Sequence, residues 1–208
     1  LAVVGAGILA AVLAGAIIWF TGYRGARYAA AAVILGLTVS AYPVTLAVIG
    51  WRLPAIADVT TDFTEPPAFA ISAMARPATA NPVAYDATLA AVQRRIYPEI
   101  RSIEIDLPAE SVREIVGDLI EERRWTVLDQ VDYRGAEREG RVEIVTRSLV
   151  LGLRDDIVIR IRHVNGRSRI DMRSAARYGR QDFGVNARRT IAALDEMRTA
   201  ARPAQRER

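Results

Sequence analysis

The chain of 208 residues carries 28 basic side chains, all of them Arg, against 24 acids; it has one His and no Cys. Without Cys there can be no disulfide, thiol nucleophile or thiolate metal site, and a single His leaves few ways to build a zinc site. Apart from Arg24 and Arg27, residues 51–208 set 26 Arg against 24 acids, a balance that argues against nucleic-acid binding, which needs a basic stripe on one face.

Two apolar runs open the chain, Leu1 to Phe20 and Tyr28 to Gly50, with Thr21 to Arg27 between them. About 20 helical residues cover about 30 Å of hydrocarbon, so each run is long enough to span a bilayer. The two together predict a transmembrane helical hairpin over residues 1–50. No basic stretch precedes the first run, so it reads as a span rather than a cleaved leader. Arg24 and Arg27 favour a cytoplasmic turn, which places the rest of the chain on the outer side; Arg52 opposes this weakly. Val3-Val4-Gly5-Ala6-Gly7 resembles a dinucleotide-binding turn, but no acid follows before Asp58. Small residues in a span more often serve close helix packing. Pro43 lies inside the second span and is read as a tolerated kink.

Residues 51–100 are punctuated by Pro54, Pro66, Pro67, Pro77, Pro82 and Pro98. They predict an extended arm packed on the domain, with a short helix near Asp86 to Arg95. Cleaner periods follow. Ile103, Ile105 and Leu107 alternate with polar neighbours as in a half-buried strand; Val112, Ile115, Val116, Leu119 and Ile120 recur at helical spacing after Pro108. Alternation resumes around Val127, from Val142 to Thr146, from Ile157 to Ile161, and through Ile170 and Met172. A last helix carries Ile191, Leu194 and Met197, with Asp182 or Asn186 as its N-cap. Asn165-Gly166 predicts a two-residue hairpin turn. The order predicts an α+β fold over residues 101–201, an antiparallel sheet with two helices packed on one face. Residues 202–208 read as a disordered tail.

The polar strand positions are rich in charge: Arg141 with Glu143, Arg160 with Arg162, and Arg169 with Asp171 and Arg173. The first reading is a salt-bridged, solvent-exposed sheet face; the second is a patch that grips an anionic ligand with bidentate Arg. Asp155 and Asp156, adjacent on a strand, point to opposite faces and are poor partners for each other. An ion pair with Arg within 173–180 is expected for them. His163, in phase with Ile157, Ile159 and Ile161, reads as a packed edge residue, since no nucleophile elbow accompanies it.

Several segments together resemble one family. They are Leu53 to Asp62 followed by Pro66-Pro67-Ala68-Phe69; then Asn81-Pro82, Tyr85, Gln93 and Tyr97-Pro98. Gly140 to Glu143, Asp155 to Arg160, Arg173 to Gly179 and Asp182 to Asn186 complete the set. Over residues 53–197 the chain is similar to the domain-of-unknown-function 1499 family, which implies a fold and a membrane tether and no established reaction. Ala57 stands where members often have His, Ala176 replaces a Ser, and Leu149 to Leu153 lack the usual aromatic residues.

The function expected from these features is a non-enzymatic, membrane-anchored envelope protein. It would be an accessory or assembly subunit of a larger complex in the bacterial inner membrane, with a periplasmic domain. Its partners would be membrane lipids and another membrane protein, met through Leu1–Phe20 and Tyr28–Gly50. The alternative is a module that binds a lipid or small anion. No cofactor or metal is implied. The candidate binding residues are Asp62, Asp155, Asp156, Arg160, Arg173, Arg177, Asp182 and Asn186, all types that can equally hold strand ends and the last helix in place.

Overall fold

The structure is a computed structural model that describes residues 2–131, 139–148, 152–164 and 167–206. Asn165-Gly166, part of Leu149 to Leu153 and the last two residues therefore lie outside the described residues. The chain divides into two units, Leu1–Leu53 and Pro54–Arg208.

The first unit is a pair of apolar helices, α1 (Ala2–Thr21) and α2 (Ala26–Arg52), both long and apolar enough to cross a membrane. The residues from Val3 to Gly7 lie inside α1, as helix rather than a strand-to-helix turn. The connector turns on Gly22 and Gly25, at φ 70° and 139°, backbone conformations that favour residues without a Cβ. The helices approach through small residues. A Cβ on Gly36 would stand 2.5 Å from Cγ1 of Ile8, and one on Gly15 would touch the Ala29 methyl at 4.0 Å. The hydroxyls of Thr21, Thr38 and Thr45 each donate to the carbonyl four residues earlier, which removes the cost of an unpaired polar group in an apolar setting.

The second unit is α+β. Its strands are β1 (Asp58–Thr60), β2 (Ile103–Ile105), β3 (Thr126–Val131), β4 (Glu139–Arg147), β5 (Arg154–Val164) and β6 (Arg167–Ala176). All pairings are antiparallel, in the order β1-β6-β5-β4-β3, with β2 also on β6. The two short strands share one edge of β6: β1 meets residues 173–175 and β2 meets 168–170. Thr61 fills the interval, its amide donating to the Met172 carbonyl and its hydroxyl accepting from the Met172 amide, both at 2.9 Å.

One face of this sheet is apolar. Ile144, Ile157, Ile159, Ile161, Ile170 and Met172 alternate along β4, β5 and β6 and are buried against α5 (Ala109–Glu122) and α6 (Val185–Arg206). Val112, Val116 and Leu119 from α5, with Leu194 and Met197 from α6, complete this core. These two helices on one face are those the spacing predicts. α6 continues to Arg206, into the residues read from sequence as a disordered tail. Within residues 51–100 the short helix expected near Asp86 to Arg95 is present as a 3-10 turn at Ala87–Leu89 that runs into a helix, Ala90–Ile96, here α4; β1 and a one-turn helix, α3 (Ile71–Met74), are regular structure beyond the expected extended arm.

Candidate functional site

The opposite face of the sheet carries the charges, and it is covered. In antiparallel register Arg141 lies beside Arg160, Arg160 beside Asp171, and Arg162 beside Arg169. Glu143, Asp171, Arg160, Arg173 and Arg177 are all buried. The expectation of an exposed, salt-bridged face is thus half corrected: the ion pairs are present, but the segment from Asp62 to Val83 lies over them. Its hold on the sheet combines main-chain hydrogen bonds, ion pairs of Asp62, Glu65 and Arg76, and the buried Phe69 ring, a mixture that leaves no apolar periodicity.

Those contacts run in both directions. Glu143 accepts from the amides of Ala70, Ile71 and Ser72, at 2.8, 3.3 and 2.8 Å. Guanidiniums on the sheet donate to carbonyls of the covering segment: Arg160 to Glu65 at 2.9 Å, Arg173 to Pro67 and Val83, and Arg177 to Ala75. Arg173 also lies over the rings of Phe69 and Tyr85, 4.7 and 5.5 Å from their centroids. Burial pushes the Tyr85 hydroxyl up to about 12.

Four of the sequence-chosen residues fall into two clusters on this face. Asp62 and Arg160 join Asp171, Arg162, Arg169 and Glu65. Oδ2 of Asp171 accepts from Arg160 and Arg162, each at 2.9 Å, and Oδ2 of Asp62 accepts from Arg169 at 2.8 Å. Three guanidiniums meet three carboxylates, so the cluster is charge-balanced. Burial works against ionising Asp62, but the amides of Glu65 and Thr64, with Arg169 and Arg160, outweigh it and hold the carboxyl below the usual range. Asp156 and Arg177 form the second cluster with Arg76: Asp156 accepts from Arg177 and Arg76, both at 2.7 Å. Arg173 stands apart, paired with Asp58 at 2.7 Å.

The remaining three sit at the helix side. Asp155 accepts from Arg189 of α6 at 2.6 Å, and Arg189 also donates to Asn186 and Ser174. Asn186 donates onward to the carbonyl of Ala57. Asp182 accepts from the amides of Gly184 and Asn186 at the start of α6, but the residue that flanks the helix is Gly184, whose carbonyl accepts from Arg188; Asp182 lies two residues before it and Asn186 within the first turn, so neither expected residue is the N-cap itself. Burial raises the carboxyls of Asp155 and Asp182. The expectation that the Asp pair meets Arg within 173–180 holds for Asp156 alone; the partner of Asp155 is Arg189. Sequence reasoning did not single out Arg76 or Arg189, since neither sits in a patterned strand.

His163 is half-buried opposite Ser168. Among the described residues no group of three or more His, Cys, Asp and Glu side chains could hold a metal ion. The charged groups on this face are bound to one another and to main chain.

An α+β domain with a covered, ion-paired sheet face, preceded in the chain by two apolar helices, defines the class. The family described as protein of unknown function DUF1499 matches residues 58–197, more than half of the chain, and the chain belongs to it. No curated protein matches the sequence.

Proposed function

We propose that this is a non-enzymatic, membrane-anchored envelope protein, an accessory or assembly subunit of a larger membrane complex. In this reading α1 and α2 cross the bacterial inner membrane and the α+β domain lies on the periplasmic side. The observation that carries it is the use of every candidate side chain on the sheet: each of the eight is bound to another side chain or to main chain of the same domain, an arrangement suited to a rigid module rather than a reactive centre.

The apolar pair supplies the contact with the partner. α1 and α2 meet through Gly36, Ile8, Gly15 and Ala29, while Gly5 and Gly7 have nothing within 4 Å of where a Cβ would stand. That smooth stretch of α1 suits close packing of another membrane helix.

The test is purification of the full chain in mild detergent, with mass spectrometry of what accompanies it. A stoichiometric membrane protein, retained by the native chain and lost from a Gly5→Leu, Gly7→Leu variant that still folds, is expected. A solitary protein in several mild detergents overturns the reading. The native chain has no Cys, so a Thr199→Cys variant, labelled in intact cells by a membrane-impermeant maleimide, tests the periplasmic placement.

A further inference from the structure

At the end of the sheet where β4 finishes and β5 starts, Arg147 and Arg154 stand directly opposite each other. Like charges in that position oppose pairing of the strands. Neither makes an ion pair with a described residue, and both are exposed. They line a cavity of about 670 Å³ together with Arg123, Arg124, Trp125 and Arg177, a size in the range of small-molecule sites. No acidic residue lines it among the described residues.

A second local rule is broken at the same place. Arg124 follows the end of α5 with φ 52°, a left-handed position where Gly is the usual residue. Its amide bonds to the carbonyl of Glu121, which fixes the turn, and its side chain has no ion pair with a described residue. The wall adds to the imbalance. Arg177 shares the single carboxylate of Asp156 with Arg76, and Nη2 of Arg76 is buried without a hydrogen-bond partner among the described residues. Arg123, which does have an acid, Glu196, lies over the Trp125 ring at 5.3 Å.

Elsewhere on this sheet each buried guanidinium meets a carboxylate. Here three exposed ones converge without an ion-pair partner among the described residues, on positions where the fold would be better served by other residues. Local rules broken together at one cavity mark function rather than folding. We propose that this cavity binds a phosphate-bearing anion, held by Arg124, Arg147 and Arg154, with the organic part of the ligand against Trp125 and Leu128. A planar guanidinium fork matches two phosphate oxygens at once, which is why Arg suits the task. The anion can come from a phospholipid headgroup or from a soluble phosphate ester; both present the same oxyanion. This goes beyond the accessory-subunit reading, which requires no ligand: a protein that keeps its membrane partner can still fail here.

The experiment is calorimetric titration of the full chain in a neutral maltoside detergent with two probes, inorganic pyrophosphate and short-chain phosphatidic acid. Saturable binding of at least one probe is expected, weakened at least about tenfold in Arg147→Gln, Arg154→Gln and at least about threefold in Arg124→Gly. Equal binding of both probes assigns recognition to the phosphate alone; binding of the lipid only assigns a membrane source. Failure of both probes to bind overturns the proposal, as does a folded double variant that binds as tightly as the native chain. The double variant relieves a like-charge pair and Arg124→Gly relieves a left-handed Arg, so both are expected to unfold at or above the native temperature.

Discussion

Asp155 and Asp156 are adjacent in the chain and are held on opposite faces of the sheet, Asp155 by Arg189 of α6 at 2.6 Å and Asp156 by Arg177 at 2.7 Å. The alternation of a strand makes this unavoidable. One residue ties the last helix to the sheet; the other anchors the covering segment through Arg76 and Arg177.

The two positions should therefore respond differently. Asp156→Ala leaves two buried guanidiniums without their carboxylate, and a loss of about 3–5 kcal/mol is expected, the cost of breaking a buried pair from one side. Asp155→Ala removes one acceptor from the bonded set of Arg189, and about 1–3 kcal/mol is expected. Urea unfolding of the full chain in nonionic detergent measures both. Equal losses would contradict the arrangement.

Asp171 is fully buried and accepts from Arg160, Arg162, Arg169 and Ser102. Asp171→Leu alone should cost about 3–5 kcal/mol. Combined with Arg160→Met it should cost less than the sum of the two single changes, by about 0.5–3 kcal/mol, because the second substitution removes one of the stranded charges. A double-mutant cycle reads this directly; strict additivity would show the pair to be uncoupled.

The carboxyls predict a stability profile with two limbs. Burial raises Asp58, Asp155 and Asp182. A raised group binds its proton in the folded state before the unfolded chain does. Its stabilisation is full below the unfolded value and is lost as pH rises through the folded one. Asp62 and Glu143 behave in the opposite sense. Burial opposes their ionisation, but amides outweigh it, those of Glu65 and Thr64 on Asp62 and those of Ser72 and Ala70 on Glu143. Their stabilisation is full above the unfolded value, about pH 4, and is lost as pH falls through the lower folded values. The melting temperature should hold or rise as pH drops from neutrality toward the unfolded carboxylate range, then fall below about 4. Glu143→Gln should flatten the acid fall and Asp155→Asn the rise. A melting temperature that declines steadily from neutral pH would refute the raised assignments.

Gly36 of α2 faces Ile8 of α1 with no room for a side chain. Gly36→Leu should force the two helices apart and destabilise the pair by about 1–3 kcal/mol, as overpacking does. Gly7→Leu, in open space, should leave the pair intact. Protease resistance of residues 1–53 in detergent separates the two outcomes.

Much of the α+β unit is legible in the chain because its core signals are local. Alternation at Ile157, Ile159 and Ile161 and the helical spacing of Val112, Val116 and Leu119 need only the geometry of a strand and a helix. The two apolar helices are legible for the same reason, since length and composition are read residue by residue. The covering segment is less so. Part of its hold on the sheet runs through the amides of Ala70 and Ser72 and the carbonyls of Pro67 and Ala75, and main-chain groups leave no mark on side-chain pattern.

The sequence by itself determined two long apolar helices, an antiparallel sheet with helices on one face, and a charged opposite face, because periodicity and hydrophobicity are local properties. Only the tertiary structure decided which charges are neutralised and which are not. Asp62 meets Arg169 across more than 100 residues, and Asp156 meets Arg76 across 80. Arg147 and Arg154 are brought face to face with no acid at hand among the described residues. Electrostatic pairing depends on distance in space, and that distance is set by strand register and by the path of the covering segment rather than by the order of residues.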